Sequence, residues 1–220
     1  MSTHEATGFY YPYPHPAVAT DIAIFTIRHA RLMLLLIQRG GPPFEGEWAL
    51  PGGFLMMDED LDTCARRELR EETDVDADYL EHFGNFSAPD RDPRERVISV
   101  AYLALIPADR LNPTAGSDAA SVRWFELSDL PPLAFDHDRI ISAAVAALRS
   151  RAVDQGMLLH LMPARFTLSQ MQQAWEIICG LAADKRNFRA RVLESGLIVE
   201  TDEMERGAHR PARLYARAEA

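Results

Sequence analysis

Two early stretches carry aliphatic and β-branched residues in strand-like clusters, Ala17 to Ile27 and Arg31 to Arg39, with His29-Ala30 at the turn between them. Gly40-Gly41-Pro42-Pro43 then breaks regular structure, and Trp48-Ala49-Leu50-Pro51-Gly52-Gly53 leads into a different periodicity. From Asp60 to Thr73 helix formers dominate, and Leu61, Ala65 and Leu69 recur every four residues, which predicts a helix with one apolar stripe. Val97 to Ile106 predicts a long buried strand, Ser121 to Glu126 a shorter one, and Asp136 to Arg149 an Ala- and Ile-rich helix. Strands interrupted by two helices predict an α/β or α+β sandwich, a mixed sheet between helices.

The pattern changes at about residues 150–165. Ser169 to Gly180 predicts a helix stopped by its glycine, and Asp184 is placed to cap a second helix that ends at Ser195-Gly196. Leu197-Ile198-Val199 and Ala212 to Ala216 then read as two short strands around a charged turn. Helix, helix and hairpin in that order predict a winged helix-turn-helix. The expected organisation is an N-terminal arm over residues 1–16, a sandwich domain over 17–150 and a winged-helix domain over 151–220. The arm, Phe9-Tyr10-Tyr11-Pro12-Tyr13-Pro14-His15-Pro16, is read as an extended lead-in to the first strand.

Charge separates the same two regions. Residues 1–150 carry 13 basic and 24 acidic side chains, a net of −11, whereas residues 151–220 carry 10 basic and 9 acidic, a net of +1. The first region repels nucleic acid and the second tolerates it. The longest apolar run, Leu32 to Ile37, is far short of the roughly 18 residues of a membrane span, so no membrane association is expected. No basic segment followed by an apolar core opens the chain, and Cys64 and Cys179 lie far apart without metal-ligand spacing. Free core thiols and a cytoplasmic location are the expectation.

The segment with the clearest chemistry runs from Gly53 to Val75 and contains Arg67-Glu68-Leu69-Arg70-Glu71-Glu72. On a helix Glu68 and Glu72 stand one turn apart on one side, with Glu71 three residues from Glu68. Like charges so close raise one another's pKa values and oppose the helix, and a hard cation removes that penalty. Carboxylate oxygens are the ligands that Mg²⁺ prefers. A solvated acidic helix face is the competing account, and only the wider spacing decides against it.

That spacing resembles the Nudix box, G-x5-E-x7-R-E-U-x-E-E-x-G-U with U apolar. Gly53, Glu59, Arg67, Glu68, Leu69, Glu71, Glu72 and Val75 fall on its fixed positions, and Asp74 replaces the second glycine. The resemblance, over roughly residues 17–148, implies a Nudix sandwich and hydrolysis of a nucleoside diphosphate derivative with Mg²⁺ or Mn²⁺. It implies Glu68, Glu71, Glu72 and the Gly53 carbonyl as metal ligands, Arg67 as the residue that orients them, and Glu59 as structural. The general base is expected at Glu68 or Glu95. Asp74 is expected to take a left-handed turn at modest cost.

The stretch Asp92 to Tyr102 resembles that of Nudix proteins that bind ADP-ribose, which makes Arg94, Arg96 and Tyr102 candidate substrate contacts. Arginine forks suit a diphosphate, while loop charges and a core tyrosine are the plain alternative. In the C-terminal region the second helix opens with Asp184-Lys185-Arg186-Asn187-Phe188-Arg189, so Phe188 and Val192 face a core while Lys185, Arg186 and Arg189 face outward toward DNA. Arg206, His209, Arg210 and Arg213 would decorate the wing, against the opposing charge of Glu200, Asp202, Glu203 and Glu205. A Nudix domain followed by this winged helix resembles the Nudix-related transcriptional regulators of NAD metabolism. The resemblance implies ADP-ribose sensing, binding of duplex DNA through residues 165–215 and a homodimer. Two functional expectations therefore stand, a hydrolase of ADP-ribose or a related diphosphate and an ADP-ribose-sensing regulator; a third is a catalytically silent scaffold.

Overall fold

The computed structural model describes residues 12–110, 119–153, 155–205 and 211–218. The predicted N-terminal arm therefore lies, up to Tyr11, outside the described residues.

Strands β1 (Ala17–Arg28) and β2 (Arg31–Arg39) form an antiparallel hairpin whose two turn residues, His29 and Ala30, both have positive φ (51° and 58°). That pair of left-handed residues matches the twist of a tight hairpin. The sheet runs β3 (Trp48–Ala49), β2, β1, β6 (Val97–Leu105), β5 (Tyr79–Phe86), with β4 (Gly52–Phe54) on the first half of β1 and β7 (Ala119–Glu126) along β2. Strands β1 and β6 pair in parallel over nine residues and every other pairing is antiparallel, so the sheet is mixed as expected.

Alternation along the central strands sorts their side chains to two faces. Ile22, Ile24, Leu35, Tyr102 and Ala104 face α1 (Leu61–Thr73) and pack on Ala65 and Leu69. Ala23, Phe25, Leu34, Leu36, Ala101 and Leu103 face α2 (His137–Arg151) and pack on Ile140, Ile141, Ala144 and Leu148. Each fully buried aliphatic or aromatic side chain here contributes roughly 1.5–3 kcal/mol of transfer free energy.

The second cluster does not stop at the end of α2. It continues through Met157 and Leu158 of α3 (Gln155–Leu158), Phe166 just before α4, Met171, Ala174 and Ile178 of α4 (Leu168–Cys179), and Phe188 and Val192 of α5 (Lys185–Glu194). It ends on Ile198 and Tyr215 of the hairpin β8 (Ile198–Glu205) and β9 (Ala212–Arg217). The sandwich and the winged helix thus share one apolar core.

Local chemistry fixes the winged-helix elements. Thr167 and Gln170 form a reciprocal capping box, and Gly180 closes α4 at φ 67°, a conformation only glycine adopts freely. Asp184 accepts from the Asn187 N–H and starts α5 as expected. The short strands β3 and β4, strand β5, the short helix α3 and the full length of β8 lie outside the sequence expectation. Strand β5, Tyr-Leu-Glu-His-Phe-Gly-Asn-Phe, is a half-exposed edge strand bulged near Gly84, so its pattern is neither continuous nor cleanly alternating. No helix among the described residues is long and apolar enough to cross a membrane.

Phe166 is 1% exposed at the centre of the shared core. Phe166→Ala should therefore lower stability by about 3–5 kcal/mol, with the tryptophan-fluorescence and circular-dichroism transitions still coincident in urea. Separate transitions would contradict a common core.

Candidate functional site

Helix α1 is held at both ends by its own side chains and turns. Asp60 accepts from the Thr63 N–H at 2.8 Å, and Asp74 adopts the left-handed conformation (φ 55°, ψ 32°) with its N–H donating to the Arg70 carbonyl. Aspartate thus fills the place of the missing glycine as a formed C-cap.

With the apolar stripe buried, the charged side of α1 gathers around Arg67. Its guanidinium donates to Glu59 at 2.6 and 3.0 Å, to Glu68 at 2.6 Å, to Glu71 at 3.1 Å and to the Phe54 carbonyl at 3.2 Å. Hydrogen bonds from Arg67 and from the Met56 N–H hold the Glu59 carboxyl down at about 2. Glu68 moves the other way. Burial lifts its pKa, Glu71 and Glu59 add repulsion, and Arg67 opposes the rise. Its carboxylate lies over Gly53, where a Cβ would stand 2.2 Å from Oε1, so a larger residue there would displace it. Glu72 is nearly buried and accepts the Gly52 N–H at 2.7 Å.

Among the described residues no three such groups already converge on a point that a metal ion would fill. Glu68 and Glu71 are turned to Arg67 and Glu72 to a backbone N–H. The donor chemistry nevertheless fits a hard divalent cation. Carboxylates one turn apart, one of them destabilised by burial, are what such an ion relieves.

Beside these glutamates, on the other side of Gly52-Gly53, a narrow cavity of about 60 Å³ is lined by Asp21, Arg39, Phe54, Asp92, Phe135 and His137, among others. The Arg39 guanidinium lies 4.9 Å from the Phe135 ring centre. Arg94 lies 5.2 Å from the Phe54 ring and 5.8 Å from the Phe135 ring, and is held by Asp92 at 2.7 Å. Burial and then the like charge of Arg94 lower the pKa of Arg39, against Glu72, Asp92 and Asp21. Two guanidiniums thus stand against the Phe135 ring, Arg94 already paired with Asp92.

A buried network supports this wall. Arg91 donates to Asp136, the N-cap residue of α2, at 2.8 Å and to Asp21 at 3.2 Å, and the Ser99 hydroxyl also donates to Asp21. His137 accepts the Leu50 N–H on Nδ1 at 2.9 Å, and burial lowers its pKa, so it stays neutral with its proton on the Nε2 that faces Asp21 at 3.4 Å.

The expected residues meet different fates. Glu68, Glu71, Glu72, Arg67 and Gly53 are brought together, and Arg94, which does not itself line the cavity, stands against the rings of Phe54 and Phe135 that do. Arg96 is exposed and donates to the Ala88 carbonyl at 3.1 Å. Tyr102 is corrected outright: it is 3% exposed beneath α1, its hydroxyl donating to Asp62 at 2.6 Å, because its place on β6 turns it to the α1 face. Glu95 is exposed in the loop before β6 and is not among the residues lining the cavity. Arg39, Phe54, Asp92, Phe135 and His137 escaped the sequence reading. Arg39 alone carried a signal, as a charge at the end of a buried strand just before Gly-Gly-Pro-Pro.

On the winged helix, Lys185 and Arg186 are exposed in the first turn of α5, while Phe188 and Val192 are buried as expected. Arg189 leans back on α4 and donates to the Ser169 hydroxyl at 2.9 Å. Arg213 pairs with Glu200 at 2.9 Å, which cancels one charge of the wing. Arg206, His209 and Arg210 lie outside the described residues.

The Glu59–Arg67 pair gives a pH test. A carboxyl held at about 2 when folded and ordinary when unfolded stabilises the protein fully above the unfolded value near 4.5, and that stabilisation is lost as pH falls toward 2. Denaturation of Glu59→Gln should lack this component, so the gap between wild type and variant should narrow across that window.

Comparison with known proteins completes the site. The NUDIX domain model matches residues 15–144, and the model of the NrtR DNA-binding winged helix domain matches residues 158–216. The chain is 39% identical over 207 residues to the ADPR responsive transcriptional repressor NtrR of Acinetobacter baylyi, covering 92% of this chain and 82% of that one. It is 42% identical over 129 residues to the ADP-ribose pyrophosphatase of Methanocaldococcus jannaschii, covering 59% and 73%. Its fold matches Shewanella oneidensis NrtR in complex with a 27mer DNA at a TM-score of 0.82 and 32% identity, over 91% of this chain and 93% of that one. The chain therefore belongs to the Nudix family, with an NrtR-type DNA-binding winged helix joined to its Nudix domain.

Proposed function

We propose that the Nudix domain is a divalent-metal-dependent hydrolase that cleaves the diphosphate of ADP-ribose or a related nucleoside diphosphate derivative. The observation that carries this reading is the unit of Arg67 with Glu59, Glu68 and Glu71, beside Glu72 and Gly53. The similarity to an ADP-ribose pyrophosphatase supports the substrate class. Glu68, Glu71, Glu72 and the Gly53 carbonyl would hold Mg²⁺ or Mn²⁺, which neutralises the diphosphate and acidifies a bound water. Arg67 sets the directions of the glutamates, and Arg39 and Arg94 hold the diphosphate between Phe54 and Phe135. Of the two expected proton acceptors Glu68 is the better placed, since it stands over Gly53 within the Arg67 cluster whereas Glu95 is exposed in the loop before β6. Neutral His137 keeps the backbone of Leu50, and with it the turn into Gly52-Gly53, in place.

A second reading, compatible with the first in one chain, is a DNA-binding transcriptional regulator of NAD metabolism that senses ADP-ribose in the same pocket. What favours it is extent. Hydrolysis uses only the Nudix domain and leaves the winged helix without a task, whereas similarity to an ADPR-responsive repressor covers 92% of the chain. Lys185, Arg186 and Arg189 would meet duplex DNA, and a two-fold operator would require a homodimer.

Incubation with Mg²⁺ and ADP-ribose should release AMP, chelation should abolish release, and Glu72→Gln should slow it about 100-fold. No AMP with either Mg²⁺ or Mn²⁺, together with DNA binding that ADP-ribose alters, would remove the hydrolase reading and leave the regulator. Arg186→Ala should weaken DNA binding and reduce the slope of log affinity against log salt by about one. An unchanged slope would take Arg186 off the DNA.

A further inference from the structure

A second cavity, of about 560 Å³, opens where the winged helix meets the Nudix sheet, walled by β5, the end of α2, the α3 region and the last residues of β9. Its volume falls in the range of small-molecule sites, roughly 300–1,000 Å³. Met157 and Leu159 give it an apolar floor. Tyr79 lies 5.0 Å, ring centre to ring centre, from His160, so two flat side chains share the wall.

Its charges do not cancel. Arg151 is matched by Glu81 at 2.8 Å and also donates to the His82 carbonyl. Arg217 has no carboxylate partner among the described residues, and its guanidinium instead donates to Nε2 of His160 at 2.9 Å. A cation that spends a donor on a neutral imidazole still has the rest of its fork to offer. Because Nε2 accepts, the neutral ring carries its proton on Nδ1, and that atom is buried without a hydrogen-bond partner among the described residues. The wall therefore holds one positive charge, on the exposed Arg217, that has no carboxylate partner among the described residues, while the His160 Nδ1 is closed off from the cavity.

We propose that this junction cavity is a second ligand site, for a small organic carboxylate: a monoanion whose charge meets Arg217 and whose apolar body lies on Met157 and Leu159. One negative charge balances the wall, where a diphosphate would overload it. The site is separate from the Nudix pocket, shares no lining residue with it, and does not depend on what that pocket cleaves or senses. Since both domains contribute walls, an occupant bridges the sandwich and the winged helix.

The test is calorimetric titration of the full chain with sodium benzoate, and with benzamide as the uncharged isostere. Benzoate should bind saturably, at least about tenfold tighter than benzamide, and Arg217→Gln should remove about the same factor, as expected for a hydrogen bond to a charged group. Arg217→Lys should retain part of the affinity, and the Nδ1–H resonance of His160 should shift on binding. Glu72→Gln should leave benzoate binding unchanged. Absence of saturable binding, equal affinity for benzamide, or indifference to Arg217→Gln would overturn the proposal. Displacement of benzoate by ADP-ribose with loss of binding in Glu72→Gln would assign the signal to the Nudix pocket and overturn it equally.

Discussion

The site depends on one guanidinium in contact with three carboxylates. Glu59, Glu68 and Glu71 crowd a single turn of α1 and its approach, and without Arg67 their repulsion would oppose the helix that carries them. Arg67 resolves this by holding all three at once while also donating to the Phe54 carbonyl, which ties the loop before α1 to the helix itself. The result is a set of acidic side chains kept close by one guanidinium, with the partly buried Glu68 the one whose charge is least favoured. A divalent ion would take over part of Arg67's electrostatic work once the glutamates turn from Arg67 and the Gly52 N–H toward it.

Around that centre the fold supplies rigidity from two directions. The apolar stripe of α1 fastens the helix to one face of the sheet, and the buried Asp21, Arg91, Asp136 and His137 network fastens the start of α2 to the opposite side of the cavity. Helix α2 then runs away from the cavity and ends in the same apolar core that receives α4 and α5, where Arg149 donates to the Ile178 carbonyl. Pocket and winged helix are thus built on one packed body, so a ligand that shifts the start of α2 acts on an element the DNA-binding half also uses.

Most of this was legible where chemistry and periodicity agree. The spacing of Arg67, Glu68, Glu71 and Glu72 located the acidic centre, and Thr167, Gly180 and Asp184 marked the winged-helix ends, because capping and left-handed turns are properties of single residues. Tyr102 was misread because one position on a buried strand decides the face, and the face depends on register with β1 and β5 rather than on local pattern. Arg39, Phe135 and His137 stayed hidden for a related reason. Arg39 lies nearly a hundred residues from Phe135 and His137, and they meet only when the sheet and the start of α2 come together beside Gly52.

The most direct test of the account is Mn²⁺ binding followed by electron paramagnetic resonance, compared between wild type and Arg67→Gln. If Arg67 organises the glutamates for a cation, wild type should show one saturable site and the variant should bind about 10–100-fold more weakly while remaining folded. Equal Mn²⁺ affinity in the two proteins would contradict the central claim, because the glutamates would then need no organising arginine.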